Sequence, residues 1–252
     1  MELEKALATF DSISIESLLD RAALMDRSDR KFVFDKATLE DILGDCGPQY
    51  NILEMNMQRL FDYETEYFDT TDRLFYLQHH RGKANRYKVR RRLYGSTGEE
   101  FIEVKHKTNK GNTQKLRVAG NGLSMANPLL HVHIGEALTA QLQPSLLVRY
   151  KRITLLHKEK NEKVTLDFDI TWGKPEEEQN STPTVNFQNV VIAEVKSINL
   201  HFNTFQSIAK KRGIREGSLS KYCLGCLAIY PEIKQNRFKQ TYKHILSIEH
   251  AS

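Results

Sequence analysis

The chain has 252 residues, with 37 Lys and Arg against 32 Asp and Glu, a formal net charge of +5, and 40% hydrophobic residues. That is an ordinary globular composition, long enough for one large domain. It holds no run of about 18 apolar residues for a membrane span, and its Met1-Glu-Leu-Glu-Lys5 start lacks the basic-then-apolar order of a signal peptide. Its three cysteines, Cys46, Cys223 and Cys226, are too few for a disulfide framework, so a reduced, cytoplasmic protein is expected.

Residues 1–25 read as helical, with Ile13, Ile15, Leu18, Leu19, Ala22, Ala23 and Leu24 at roughly helical spacing and Ser12 or Ser14 placed to start the helix. Lys31–Phe34 is a short strand, and Ala37–Leu43 a short helix ended by Gly44. From Tyr50 to about residue 118 the pattern predicts strands and turns. Tyr63–Asp69 is rich in aromatics and Thr, which suit a pleated surface. Arg86–Tyr94 alternates, Gly95-Ser-Thr-Gly98 signals a turn, and Phe101–Thr108 returns as a strand. Residues 123–143 read as an apolar helical insertion. Strands are expected again at Leu146–Leu156, Lys163–Trp172 and Val190–Phe202, with a solvated loop at Gly173–Pro183. Phe205–Arg212 and Asn236–Ile248 read as helices, and Ser218–Pro231 as mixed. No linker divides the chain, so one domain over 1–252 is expected, its first 25 or so residues helical. The fold class is α+β: an antiparallel sheet or barrel with flanking helices.

The charge is concentrated. Residues 79–117 carry twelve Lys and Arg against three acids, a local +9, while the remainder holds 25 bases against 29 acids, or −4. A focused basic patch attracts polyanions. Strand side chains alternate faces with a period of two. Arg86, Lys88, Arg90 and Arg92 therefore share one face, with Tyr87, Val89, Arg91 and Leu93 on the other. Glu103, Lys105 and Lys107 share a face, as do Lys115 with Arg117, Tyr150 with Arg152 and Thr154, and Glu194 with Lys196. For any one strand, solvated surface cations are the simpler reading. The set reads differently, because like charges opposite one another on neighbouring strands destabilise a sheet. A cationic wall across several strands suits a polyphosphate chain or a nucleoside triphosphate, which Arg grips through paired N–H donors.

At these residues the sequence resembles the VTC-type polyphosphate polymerase domain, the catalytic domain of the vacuolar transporter chaperone complex in its bacterial stand-alone form. That domain belongs to the triphosphate tunnel metalloenzymes, a CYTH-like superfamily. The motifs, in the family's order over roughly residues 20–225, are Arg27-Ser-Asp-Arg-Lys31-Phe, Tyr67-Phe-Asp69-Thr-Thr-Asp72, the run from His79 to Tyr94, Glu103-Val-Lys105-His-Lys107, Lys115-Leu-Arg117, Tyr150-Lys-Arg152, Val164-Thr-Leu-Asp167, Glu194-Val-Lys196 and Ser220-Lys221-Tyr222.

The resemblance implies an eight-stranded antiparallel barrel, whose basic interior holds ATP and inorganic polyphosphate or pyrophosphate. The implied phosphate-binding residues are Arg27, Lys31, Arg86, Lys88, Arg90, Arg92, Lys105, Lys107, Lys115, Arg117, Arg152, Lys163, Lys196 and Lys221. Of these, Arg27, Lys31 and Lys221 rest chiefly on the resemblance. Arg90, Arg92, Lys105 and Lys31 would act in catalysis with Glu194, which would hold Mn2+ or Mg2+. One departure concerns Lys163, where the family usually has arginine; lysine keeps the charge but loses the paired donors. The implied activity is transfer of the terminal phosphate of ATP to a growing polyphosphate chain. The alternatives are an inorganic triphosphatase or polyphosphatase of the same superfamily, and a non-catalytic polyphosphate-binding module. Hydrolytic relatives often begin with a Glu-x-Glu-x-Lys strand, and residues 27–31 lack that pair of glutamates. No nucleic-acid partner is expected, since Tyr87 alternates away from the cations and stacking aromatics are wanted there. A separate membrane partner is left open.

Other features have simpler readings. Cys223-Leu-Gly-Cys226 has no second ligand pair for zinc and reads as packing. His79, His80 and Asp69 read as structural.

Overall fold

A computed structural model describes residues 2–23, 28–109, 112–119, 128–175, 184–198 and 203–251. The N-terminal segment is two helices, not one: α1 (Glu2–Ala8) and α2 (Ile15–Ala23), with a two-residue strand β1 (Ser12–Ile13) between them. Ser14 starts α2, its Oγ accepting the Ser17 N–H at 3.3 Å. The break arises because Ile13 pairs with Leu53 of β3 (Tyr50–Leu53), a long-range bond that helical periodicity does not reveal.

The remaining strands are β2 (Ser28–Asp35), β4 (Phe61–Asp69), β5 (Arg86–Tyr94), β6 (Glu100–Lys107), β7 (Thr113–Ala119), β8 (Gln143–His157), β9 (Glu162–Gly173), β10 (Val185–Phe187), β11 (Val190–Ser197) and β12 (Glu216–Gly217). They form one sheet, in the order β12-β2-β11-β9-β8-β4-β5-β6-β7, with β1, β3 and β10 attached at its side. Apart from the parallel β1–β3 pair, neighbours are antiparallel. The expected α+β antiparallel architecture is therefore present, but two details differ. The sheet has twelve strands, and among the described residues no ladder joins β7 to β2 or β12, so it is curled without closing. β11 ends at Ser197; residues 199–202, expected to continue it, lie outside the described residues.

The curl brings charges of distant strands close together. β5 lies five places from β2, which in a flat sheet would separate them by about 24 Å. Yet Lys88 on β5 feels the charge of Lys31 on β2. Likewise Lys105 on β6 feels Asp29 on β2 with Glu194 and Lys196 on β11. The two flanks of the sheet face each other across a channel. A bulge between β8 and β9 at Arg149–Lys151 adds to the bend; beside it Asp169 takes a φ of 50°, which Asp tolerates.

The two sides of the sheet bury different partners. The convex side packs Phe32, Phe34, Ile153, Leu155, Leu166 and Ala193 against α1, α3 (Leu39–Cys46) and α7 (Thr204–Lys211). On the concave side, Leu146, Val148, Ile170, Trp172 and Ile192 pack against α8 (Lys221–Ile229). That helix covers part of the concave side, against β8 and β9. A methyl group at Gly225 would lie 2.6 Å from Leu146 and Trp172, so only glycine allows α8 to approach so closely. The rest of the concave side is polar. The last helix, α9 (Lys239–Glu249), packs against β2 and β11.

Two helices replace expected strand or mixed structure. α4 (Leu74–His80) interrupts the strand region. Its first turn is held by Asp69, which accepts the Phe75 and Tyr76 N–H groups at 2.8 and 2.9 Å, and by Thr70, which accepts that of Leu74 at 3.0 Å. The 123–143 insertion is two short helices, α5 (Pro128–Ile134) and α6 (Glu136–Thr139), with residues 120–127 outside the described set. No helix of the described residues is long and apolar enough to cross a membrane.

Candidate functional site

Register places the charged residues of seven strands on the concave side. Across β5, β6 and β7, Lys88 is opposite Lys105 and Lys115, Arg90 opposite Glu103 and Arg117, and Arg86 opposite Lys107. Arg152 of β8 is opposite Asp167 of β9. On β11, Glu194 is opposite Lys31, and Lys196 lies between Asp29 and Lys163. The period-two reading of these strands therefore holds, and it brings Lys31 to the same side. Lys221 enters from the first turn of α8, whose Ser220 cap accepts the Cys223 N–H at 3.3 Å. Arg27 lies outside the described residues.

The expected positive wall is not bare. Four carboxylates, Asp29, Glu103, Asp167 and Glu194, sit among the cations on this side. Glu103 bonds Arg90 at 2.5 Å and lies 3.6 and 3.9 Å from Arg92 and Arg117. Desolvation would raise its pKa, but these arginines outweigh it and hold it at about 2. Asp167, fully buried, takes two bonds from Arg152 at 2.5 and 2.7 Å and one from Lys221 at 2.5 Å. Here too the cations overcome burial and lower the pKa. Glu194 accepts Lys196 at 2.7 Å. Burial alone would raise its pKa, but Lys196 and Lys31 hold it well below the carboxylate range. Lys31 is paired with Asp29.

Aromatic rings hold several cations in place. Tyr63 and Tyr150 stack at 5.4 Å with an interplanar angle of 12°. Arg152 lies 4.7 Å from the Tyr63 centroid, Arg92 5.7 Å from it, and Lys221 5.1 Å from that of Tyr150. These rings give attractive faces to desolvated cations. Tyr150 is only 4% exposed, so it is a support for arginine and not a stacking surface for bases. Tyr87 faces away from the channel, as its alternation requires, stacked on His106 at 4.2 Å.

The cations differ in their freedom. Arg90, Arg92 and Arg152 are held by the carboxylates and rings. Lys88 has only Ser220 Oγ, at 3.1 Å, and desolvation followed by the neighbouring cations Lys105, Arg90 and Lys31 lowers its pKa to about 8. Lys105 is open to channel solvent but enclosed enough that desolvation lowers its pKa, with Lys196 and Lys115 adding to the effect. Lys115 and Arg117 are exposed on the outermost strand, with Arg117 3.6 Å above the Phe101 ring. Sequence reading overlooked Asp29 and Asp167 as site residues. Both could have been found, because Asp29 is two residues before Lys31 and Asp167 opposes Arg152.

The donor chemistry bears on a metal. A hard divalent cation such as Mg2+ is commonly held by one or two carboxylates together with substrate phosphates. Glu194 and Asp29 stand on neighbouring strands of one face, and among the described residues no three His, Cys, Asp or Glu come together. That set fits a cation shared with a bound phosphate chain.

Of the other features, Asp69 is structural: it is fully buried and accepts three backbone N–H groups and the Tyr222 hydroxyl. Cys223 and Cys226 are buried free thiols in α8, and burial raises the pKa of both.

Residues 26–230 match the family model of the VTC domain. No curated protein matches the sequence. Among solved structures, a Hippeastrum protein studied as an adenylyl cyclase and described as having a dominant triphosphatase activity is similar, with a TM-score of 0.52 and 13% identity over 81% of this chain and 96% of that one. A Bacillus halodurans protein assigned provisionally as an adenylate cyclase aligns over 78% of this chain and 96% of its own, with a TM-score of 0.49 and 14% identity. The Hippeastrum likeness supports the tunnel fold.

Proposed function

We propose a function from one premise, that the chain belongs to the VTC-domain family: it is a metal-dependent phosphotransferase that moves the terminal phosphate of ATP onto a growing inorganic polyphosphate chain. The observation that carries this reading is the cation array itself, which runs over β2, β11, β9, β8, β5, β6 and β7 around one channel. An anion long enough to touch all of it is a chain of phosphates.

In the transfer, the terminal oxygen of the polyphosphate forms a bond to the γ-phosphorus of ATP as the bond to the β-phosphate oxygen breaks, and ADP leaves. The attacking oxygen is already largely ionised near neutral pH, so no general base is required. Catalysis is then positioning and charge neutralisation. Arg90, Arg92 and Arg152, held rigidly by Glu103, Asp167 and the tyrosines, would orient the phosphates, and Lys31 and Lys105 would neutralise charge from opposite walls. A divalent cation at Glu194 would supply further neutralisation across adjoining phosphates. Lys163, Lys196, Lys107, Lys115, Arg117 and Lys221 would extend the track.

The test is incubation with ATP and Mn2+ or Mg2+, with and without a pyrophosphate primer, followed by gel analysis for long-chain polyphosphate. Polymer formation lost in Arg90→Ala supports the reading. Release of inorganic phosphate without polymer would mean that water is the acceptor and that the protein is a triphosphatase. Binding without turnover under any metal would leave a polyphosphate-binding module.

A further inference from the structure

Most channel cations have a carboxylate partner, but one group does not. Arg86 and Lys88 of β5, Lys105 of β6 and Arg237, from the segment between α8 and α9, gather around His79 at the end of α4. Burial, and then the charges of all four, lower the pKa of the His79 ring to about 2. Arg86 and Arg237 also oppose each other directly. Among the described residues none of the four has a carboxylate within salt-bridge distance. Their polar contacts are neutral: Arg86 donates to the Lys83 carbonyl at 2.5 Å and Lys88 to Ser220 Oγ at 3.1 Å.

Arg237 is brought here by its backbone. Its N–H points to His80 Nε2 at 3.4 Å, and its guanidinium lies against Gly82, where a side chain would collide with it. Gly82 has a φ of 70°, which favours glycine in any case. Phe238, the next residue, packs its ring against Tyr76 and His80. The segment thus places an exposed arginine beside other cations, with no carboxylate within salt-bridge distance. Arg237 also lies beyond residues 26–230, the stretch matched to the family model.

We propose that Arg237 and Arg86 of this cluster form a second phosphate subsite at the edge of the carboxylate-buffered array, where Arg237 grips units of the inorganic phosphate chain that run on beyond Lys88. The proposal rests on the polyphosphate reading above and adds to it a residue and a place. Lys105 is partly offset by Asp29 and Glu194, but Arg86, Lys88 and Arg237 have no carboxylate beside them; like charges repel at short range, and a polyanion is the ligand that removes the repulsion. The phosphate chain already bound alongside at Lys88 and Lys105 supplies it.

The test compares equilibrium binding of tripolyphosphate and of long-chain polyphosphate to the wild-type protein, Arg237→Ala and Arg237→Lys. Arg237 is exposed, so the alanine variant keeps the fold, which circular dichroism checks. Tripolyphosphate is short enough to stay within the buffered array, and its affinity should not change. Long-chain affinity should fall about threefold to tenfold in Arg237→Ala, with the slope of log affinity against log salt shallower by roughly one; Arg237→Lys should restore the slope. If the wild type binds long chains tightly and Arg237→Ala binds them equally well, the subsite is wrong while the polyphosphate reading stands. If the wild type binds neither phosphate ligand, the polyphosphate reading itself fails and the subsite with it. An equal loss for a single-stranded oligonucleotide that binds as tightly as polyphosphate would also overturn the assignment.

Discussion

Lys88 offers a sharp test of whether the channel is held in a state that needs its ligand. Its pKa falls from 10.5 to about 8, which means that keeping the ammonium charged in the folded protein costs about 3 kcal/mol. Lys88→Met keeps most of the stem's bulk and removes the charge. It also removes the hydrogen bond to Ser220, worth about 1 kcal/mol. At pH 7 without ligand the variant should therefore be more stable than wild type by about 2 kcal/mol. The sign of the pH dependence is fixed. The folded pKa is the lower one, so between about 8 and 10.5 the unfolded chain binds more protons and the stability of the wild type rises with pH. Below pH 8 the deficit is constant; by pH 10.5 it should have closed. Urea unfolding of both proteins from pH 6 to 10.5 measures the gap, and saturating long-chain polyphosphate should reverse it at pH 7, because the anion favours charged Lys88. A variant less stable than wild type at pH 7, or a gap that ignores pH, would refute the account of the channel as a strained cation array.

The remaining predictions concern the metal, α8 and the strand end. Glu194→Gln should abolish metal-dependent turnover yet leave metal-free tripolyphosphate binding intact or tighter, since Lys196 and Lys31 lose their competing carboxylate; titration calorimetry with and without Mn2+ separates the two effects. Gly225→Ala should lower the melting temperature by several degrees, from about 1–3 kcal/mol of overpacking against Leu146 and Trp172. Asp69→Asn should cost roughly 3 kcal/mol or more in urea unfolding, because a carboxylate that accepts three backbone N–H groups and Tyr222 is replaced by an amide that cannot accept them all. Loss of phosphate binding without loss of stability in that variant would place Asp69 in the site after all.

The site was more legible than the fold's exceptions. β5 and β6 announce their inward faces because charge repeats at every second residue, and a period of two needs no knowledge of partners. Lys31 and Glu194 follow once β2 and β11 are paired. α8 hid because it is apolar all round: buried between the sheet and α4, seven of its nine residues are inaccessible, so it shows no helical stripe. α4 hid because its start depends on Asp69, a strand residue acting across the turn. Arg237 hid for a third reason. With Lys239 and Lys243 it reads equally as a solvated face or a surface polyphosphate contact, and nothing decides between them until Gly82 and His79 come up against it from a distant part of the chain.

The four carboxylates among the channel cations have a consequence for selectivity. Glu103 serves three arginines and Asp167 bridges an arginine and a lysine, so each is an incumbent that any incoming anion must unseat. A lone phosphate or chloride offers one contact and exchanges one partner for another with little gain. A linked chain presents several charges on one backbone and unseats several incumbents for a single loss of translational freedom. The channel would then ignore monovalent and small divalent anions at cellular concentrations and respond to chain length, so that its own acids, not its bases, set the shortest ligand it retains.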